Sequence, residues 1–326
     1  MTRSVTHKQT HLAQIELDRA LTAAQRYSQK SRSEATWRAY RSDWRQFESW
    51  CSNVGLTALP ADPDTVAMFV ASQADDGRNP STLSRRLAAI RLVHLGAGHT
   101  SPHNALKVAE VMRGIRRDWA TPPATKKPAL DEDIKKMVDL IDVTTRKGLR
   151  DRSLLLFGFA GAFRRSELVA LDCQDLEKRE EGFLVRIRQS KTDQEAQGQT
   201  IAIPRVPGSS YCPVAALDQW LKVSGINSDA VFRRMFRGDK VGQTRLSSQS
   251  ISLVIKDLAH AAGLDPSGYA GHSLRSGFLT SAARHQANLF KMADQSRHRS
   301  LETLRQYVRD EERFVDNAAE GLLSSK

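Results

Sequence analysis

Cysteine is scarce in this chain of 326 residues: three are present, Cys51, Cys173 and Cys212. They form no Cys-x-x-Cys pair, and no histidine stands near them in metal-ligand spacing. That argues against a disulfide framework and predicts a reduced protein without structural zinc. No run of 18 apolar residues occurs, and the first segment, 1-MTRSVTHKQTHLAQIELDRA-20, lacks the apolar stretch of a signal peptide. Neither membrane insertion nor secretion is expected, and the expected compartment is the cytoplasm. No internal repeat organises the sequence. Acidic residues are outnumbered, 37 Asp and Glu against 49 Lys and Arg, for a net charge of +12.

That balance, with a sequence pI of about 9.8, points to a polyanionic partner, most simply a nucleic acid. The excess is uneven: residues 1–127 carry 19 basic against 11 acidic side chains (+8), the remainder 30 against 26 (+4). Hydrophobic residues make up 40 %, enough for globular cores, and the length suits two domains. The seam is 119-WATPPATKKPAL-130, where Pro-Pro resists helix and two lysines keep the segment solvated, so it reads as a linker. A helical domain over 10–118 and a second domain over 131–326 are expected on either side.

The first domain reads as helix throughout. Residues 11–28 place Ala13, Leu17, Ala20, Leu21 and Ala24 on one side. Ser31-x-x-Glu34 has the form of a capping box, and Trp37, Tyr40, Trp44, Phe47 and Cys51 then follow at spacings of three and four. Further helices follow Asp62-Pro63, span 80–94 and run from about Asn104 to Arg117. The stripes are expected to be core. Arg38, Arg41 and Arg45, and in the 80–94 helix Arg85, Arg86 and Arg91, are expected to face outward. A solvated helix surface accounts for them, and so does contact with a DNA backbone. The second domain is again mainly helical with one strand signal. Phe183, Val185 and Ile187 alternate, a polar stretch holding Lys191 follows, and Thr200 to Ile203 completes a hairpin. The fold class is therefore mostly α with a small β-sheet.

One pair raises a chemical question. Arg164 and Arg165 follow 154-LLLFGFAGAF-163, a segment nearly free of polar atoms, and an unpartnered buried guanidinium is costly. Arg164, read as the end of an apolar helix, calls for an anion. Downstream stand Lys191, the pair His272 and Arg275 three residues apart on one helix face, His298 and Tyr307. Singly, each has an ordinary reading: a surface pair, a solvated lysine, a core tyrosine.

Taken in order they resemble the tyrosine recombinase (phage integrase-type) family, whose signature runs Arg, Lys, His-x-x-Arg, His or Trp, then Tyr. The segment 161-GAFRRSEL-168 looks like its first-arginine motif, 271-GHSLRSG-277 its second and 298-HRSLETLRQYV-308 its last, while 36-TWRAYRSDWRQF-47 looks like its core-binding domain. Ser296-Arg297 stands where the family usually has Leu-Gly. With no arm-binding domain before residue 10, the chain most resembles the simple Cre-like class. The resemblance covers roughly residues 10–326 and implies a two-domain DNA clamp, a helical core-binding domain and a mixed α/β catalytic domain.

It further implies a site-specific DNA recombinase that needs neither metal nor ATP and works through a covalent 3′-phosphotyrosine and a Holliday junction. Arg164, Lys191, His272, Arg275, His298 and Tyr307 would be catalytic, with Glu167 bracing the site. In chemical terms Arg164 and Arg275 offer planar donor forks to a phosphate, Tyr307 the nucleophile, His272 a base, Lys191 a general acid and His298 a donor. The partners implied are duplex DNA carrying an inverted repeat, a homodimer on one site and a homotetramer in synapsis, joined by a C-terminal helix at about 313–324. A bacterial, phage, plasmid or transposon origin and association with the nucleoid go with these. Relaxation of DNA by a type IB topoisomerase-like enzyme, or a DNA-binding regulator without activity, are the alternatives.

Overall fold

The computed structural model describes residues 31–119, 126–188, 198–298 and 300–311, with a few helical positions between 19 and 28 and side chains through Val308. The chain divides into two compact units, Met1–Pro123 and Ala124–Lys326. Most of the expected 11–28 helix, the middle of the linker, Lys191 and the tail helix at 313–324 lie outside the described residues.

The first unit is built from α1 (Glu34–Asn53), α2 (Pro63–Asp75), α3 (Pro80–Gly96) and α4 (Leu106–Asp118). Ser33, rather than Ser31, caps α1: its hydroxyl accepts from the Thr36 amide at 3.2 Å. Asn79 does the same for α3, its side chain accepting from Thr82 N at 2.9 Å ahead of Pro80. Phe47, Cys51, Val66, Phe69, Leu83, Leu87, Ile90, Val108 and Met112 form one core, with Trp44 and Trp50 packed at its edge. Phe47 and Phe69 meet edge to face at 5.0 Å. The aromatic stripe is thus largely interior, while Trp37 and Tyr40 are half-buried.

One outward assignment is corrected. Arg38, Arg41, Arg45 and Arg91 are exposed, but Arg86 is buried among Asp43, Gln46, Gln73 and the Phe69 ring. Its place in the helix requires this: position 86 lies three after Leu83 and four before Ile90, inside the apolar stripe. Arg85 reaches the same buried Asp43 through two bonds, of 2.7 and 3.0 Å, and keeps about half of its side chain in solvent.

The second unit contains α5 (Asp131–Asp139), α6 (Arg146–Ala160), α7 (Arg165–Ala170), α8 (Pro213–Ser224), α9 (Ser248–Ala261), α10 (Ser273–Arg284), α11 (Leu289–Ser296) and α12 (Leu301–Glu311). Strands β1 (Leu176–Lys178), β2 (Gly182–Ile187) and β3 (Gln199–Pro204) make an antiparallel sheet in that order, Val185 lying opposite Ile201. Phe183, Val185, Ile187, Ile201 and Ile203 all turn to the core, as the alternation requires. A second hairpin, β4 (Arg233–Phe236) and β5 (Lys240–Arg245), was not expected from the sequence. Helix α6 runs through the centre, burying Leu154, Leu155 and Phe157 against the α8 face that carries Leu217 and Trp220. A smaller cluster joins Leu279 and Ala283 of α10 to Met292 of α11 and Leu304 of α12, with Tyr307 packed against it.

Candidate active site

The site begins at the end of α6. Gly161 closes the helix, and Ala162 takes a left-handed conformation, φ 45°, unusual for a residue with a side chain. A Cβ on Gly161 would lie 2.1 Å from the Phe163 ring, so only glycine allows that ring to tuck in and stack on Phe157 at 5.8 Å. Arg164 is therefore not in a helix, as the sequence suggested. It is the N-cap residue of α7, in extended conformation, with four-fifths of its side chain shielded. A turn rather than a helix end fixes its backbone. Arg165, one residue on, is exposed and bonds only Ser252 Oγ, at 3.3 Å, among the described residues.

Glu167, buried in α7, joins the arrangement through both oxygens. Oε1 accepts from Arg164 Nη1 at 2.6 Å, and Oε2 accepts from the Arg164 amide at 3.0 Å and from Arg297 Nη2 at 2.8 Å. Burial alone would raise its pKa. The Arg297 charge, with the Arg164 bond behind it, reverses that and holds the carboxyl below its ordinary value. It is an anion locked between two cations.

The 271-GHSLRSG-277 segment enters on α10. His272 is the residue before the helix and stays exposed, while Arg275 is buried one turn in. The helix comes close to the chain ahead of α5: a Cβ on Gly277 would lie 1.7 Å from the Ala129 carbonyl oxygen, and Ala129 N donates to Ser273 O at 2.9 Å. That glycine sets the depth at which Arg275 sits. Arg275 Nη1 donates to Ala162 O at 2.9 Å, and Nη2 lies 3.4 Å from the ring nitrogens of His298. Burial, then the charges of Arg164 and Arg297, press the Arg275 pKa down to about 9. An arginine remains protonated in that setting, so the pressure measures a charge that lacks counter-charge.

His298 is held by Ser296 Oγ at 2.8 Å from Nδ1, and Ser296 in turn donates to Met292 O at 2.6 Å. Burial, reinforced by Arg275 and Arg164, lowers its pKa to about 4. The part of His272 that is shielded, and then Arg275, Arg164 and Arg165, lower that imidazole as well. Both rings are neutral near pH 7. Tyr307, half-buried on α12, has its phenol raised chiefly by burial and pulled back by Arg275.

The structure thus gathers Arg164, Glu167, His272, Arg275, His298 and Tyr307 from four separate segments, while Lys191 lies outside the described residues. Two members were not singled out from the sequence. Arg297, from α11, is fully buried in the same pocket, and Ser296 orients His298. The signal available was the pair Ser296-Arg297 standing in place of Leu-Gly. Chemically, the pocket presents three guanidinium groups to one carboxylate, beside two neutral imidazoles and a phenol.

Comparison with known proteins bears on what such a pocket serves. The phage integrase family matches residues 130–313, and the N-terminal SAM-like domain of phage integrases matches residues 25–98. Over 310 residues the chain is 40 % identical to an integrase/recombinase XerD homolog of Selenomonas ruminantium, spanning 94 % of this chain and 91 % of that protein. It is 23 % identical over 297 residues to the recombinase Cre of Escherichia phage P1, spanning 85 % and 84 %. Among solved structures, a lambda integrase dimer bound to a COC′ core site has a TM-score of 0.60 at 16 % identity, over 96 % of this chain and 88 % of that one. Likeness at that identity speaks to the fold.

Proposed function

The chain belongs to the phage integrase family of tyrosine recombinases, and from that premise we propose that it cuts and rejoins duplex DNA at specific sites through a covalent 3′-phosphotyrosine. The observation that carries this reading is the charge imbalance of the pocket. Arg164, Arg275 and Arg297 face the single carboxylate of Glu167, all largely shielded from water. Such a site is stabilised by an anion with several acceptor oxygens, and a phosphodiester has that chemistry.

In the proposed reaction Arg164 and Arg275 neutralise the non-bridging oxygens as charge builds in the transition state. The Tyr307 oxygen attacks phosphorus and its proton passes to His272, which its lowered pKa keeps neutral and able to accept. The P–O5′ bond breaks, and Lys191, carried on the β2–β3 loop, protonates the leaving oxygen. His298, with Nδ1–H donating to Ser296 Oγ, donates to a phosphate oxygen through Nε2 once the bound phosphate anion favours its protonated form. The new ester retains the energy of the one broken, so religation by a 5′-hydroxyl needs no ATP, and exchange proceeds through a Holliday junction. Metal plays no part in the scheme.

The same reading assigns residues 10–118 to core binding and 131–326 to catalysis, the two clamping the duplex. Dimers would assemble on an inverted repeat and tetramers in synapsis, with the tail at about 313–324 docking into a neighbouring protomer. Exposed Arg38, Arg41, Arg45 and Arg91 are offered as backbone contacts; Arg85, tied to Asp43, is a weaker candidate, and buried Arg86 is withdrawn.

The test is a labelled duplex nicked beside the cleavage point, so that the released fragment cannot religate. A recombinase accumulates a protein–DNA adduct on its own site. A regulator gives none, and an enzyme that relaxes plasmids lacking any such site is a topoisomerase.

A further inference from the structure

We infer that Arg297 is a positioning residue, which holds the second oxygen of Glu167 and so keeps Arg164 free to bind the reacting phosphate. This rests on the reading of the pocket as a phosphodiester site. Arg297 ends α11 in the left-handed conformation, φ 58° and ψ 43°, a position that glycine fills without strain. Its side chain is completely buried. Nη1 donates to Gly161 O at 2.9 Å and Gln295 O at 2.6 Å; Nη2 donates to Ala162 O at 2.8 Å and Glu167 Oε2 at 2.8 Å. The guanidinium also lies 5.4 Å from the centre of the Phe163 ring. All four η hydrogens are therefore spent on protein acceptors, and the remaining nitrogen, Nε, is buried without a partner. Nothing in this side chain is left for substrate, which separates it from Arg164 and Arg275.

What it does follows from the geometry of Glu167. A carboxylate and a guanidinium prefer to pair through two parallel bonds. Arg164 is near enough for that, yet of its guanidinium only Nη1 bonds Glu167, because Oε2 is occupied by Arg297 Nη2 and the Arg164 amide. With Arg297 gone, Oε2 loses its charged partner in a buried setting, and the nearest replacement is the rest of the Arg164 fork. Arg164 would turn onto Glu167 and away from the phosphate. The carbonyls of Gly161 and Ala162, which set the turn ahead of Arg164, would lose donors at the same time.

The inference is tested on the full chain with the nicked duplex, by measuring single-turnover adduct formation and DNA affinity separately. Arg297→Gly removes the side chain and suits the backbone conformation. Its adduct rate is expected to fall about 10²-fold, the size of effect a 1 Å misplacement produces, with DNA affinity within twofold of the parent. Arg297→Lys keeps the charge but cannot bridge the turn and Glu167 together, and should fall between the two. The discriminating readout is rescue. Adding Glu167→Gln to Arg297→Gly removes the carboxylate that captures Arg164, so the double variant should be faster than Arg297→Gly alone. A merely structural arginine would give a double variant slower than either single change. Rates of Arg297→Gly and Arg297→Lys within twofold of the parent, or no rescue, overturn the inference; should Arg297→Gly not fold, the Arg297→Lys rate decides. If the parent protein itself forms no adduct, it is the recombinase reading that fails.

Discussion

Arg275 Nη1 donates to the carbonyl oxygen of Ala162 at 2.9 Å, joining residues 113 positions apart. Ala162 carries that carbonyl inward because its φ is 45°, and the bond ties the second arginine to the turn that presents the first. The two phosphate-binding candidates are thus set against one piece of backbone, and neither can shift without the other.

That arrangement ranks the neighbouring arginines. Arg164 is shielded and tied to Glu167, whereas Arg165 is exposed and meets a serine hydroxyl. Arg164→Ala should lower the cleavage rate by about 10²–10³-fold, as loss of a transition-state donor does. Arg165→Ala should change it by no more than about fivefold, the scale of an exposed contact. Single-turnover cleavage of the nicked duplex measures both, and the opposite ranking would reassign the first-arginine motif by one residue.

Tyr307 packs its ring on the cluster of Leu279, Ala283, Met292 and Leu304, so Tyr307→Phe keeps that packing. DNA binding and the melting temperature should be unchanged while the covalent adduct disappears. An adduct from this variant, mapped by digestion and mass spectrometry, would move the nucleophile to Tyr27, Tyr40, Tyr211 or Tyr269. Of these, Tyr211 is raised by donating its hydroxyl to Asp139, and Tyr269 is raised by burial and then by Asp133, to which it donates, so each is a poorer choice.

The neutral imidazoles carry a prediction about acid. His298, lowered from 6.5 to about 4, holds fewer protons folded than unfolded across that interval. Stability then rises with pH there, and is lost as pH falls below 6.5. His272 is displaced in the same direction. The melting temperature of the protein without DNA should drop between pH 6.5 and 4, and His298→Gln should flatten the drop. Equal slopes for parent and variant would mean that burial and the neighbouring arginines do not hold this histidine neutral.

How much was legible in the sequence depended on whether a residue's role followed from local pattern. The β2–β3 alternation and the stripe ending in Phe47 and Cys51 were plain, because burial on one face repeats along the chain. The β4–β5 hairpin was not, since 233-RRMFRGDKVGQTR-245 is rich in charge and only Arg233 and Gly242 among its strand residues are buried, with Met235 and Val241 half-buried against the core. The order of the motifs reveals the site residues, yet Arg164 reads as helical because the left-handed position after Gly161 is held by Ala162 and not by a second glycine. Arg297 is illegible in the sequence for a related reason. An arginine between a serine and a histidine reads as surface charge, and only the fold reveals four backbone and side-chain acceptors around it.

Arg86 shows how the same physics corrects an expectation about DNA contact. Charge placed it outward, but three residues after Leu83 and four before Ile90 it shares their face, buried beside Asp43, Gln46 and Gln73. Arg41, Arg45 and Arg91 are exposed, and on the proposed reading each neutralises a phosphate and releases a counter-ion on binding. Replacing these three with alanine should leave the melting temperature alone and flatten the slope of log affinity against log salt by about 0.9 for each true contact. Arg86→Ala should do the reverse. Breaking a buried charge pair costs roughly 3–5 kcal/mol, softened here because Arg85 still holds Asp43. The melting temperature of the N-terminal unit should fall, while folded protein keeps the parent salt slope. Titration of a labelled duplex at four salt concentrations, beside thermal melts of each variant, separates the two effects. A salt slope that changes with Arg86→Ala but not with the exposed three would return Arg86 to the DNA and dismiss its neighbours as a solvated surface.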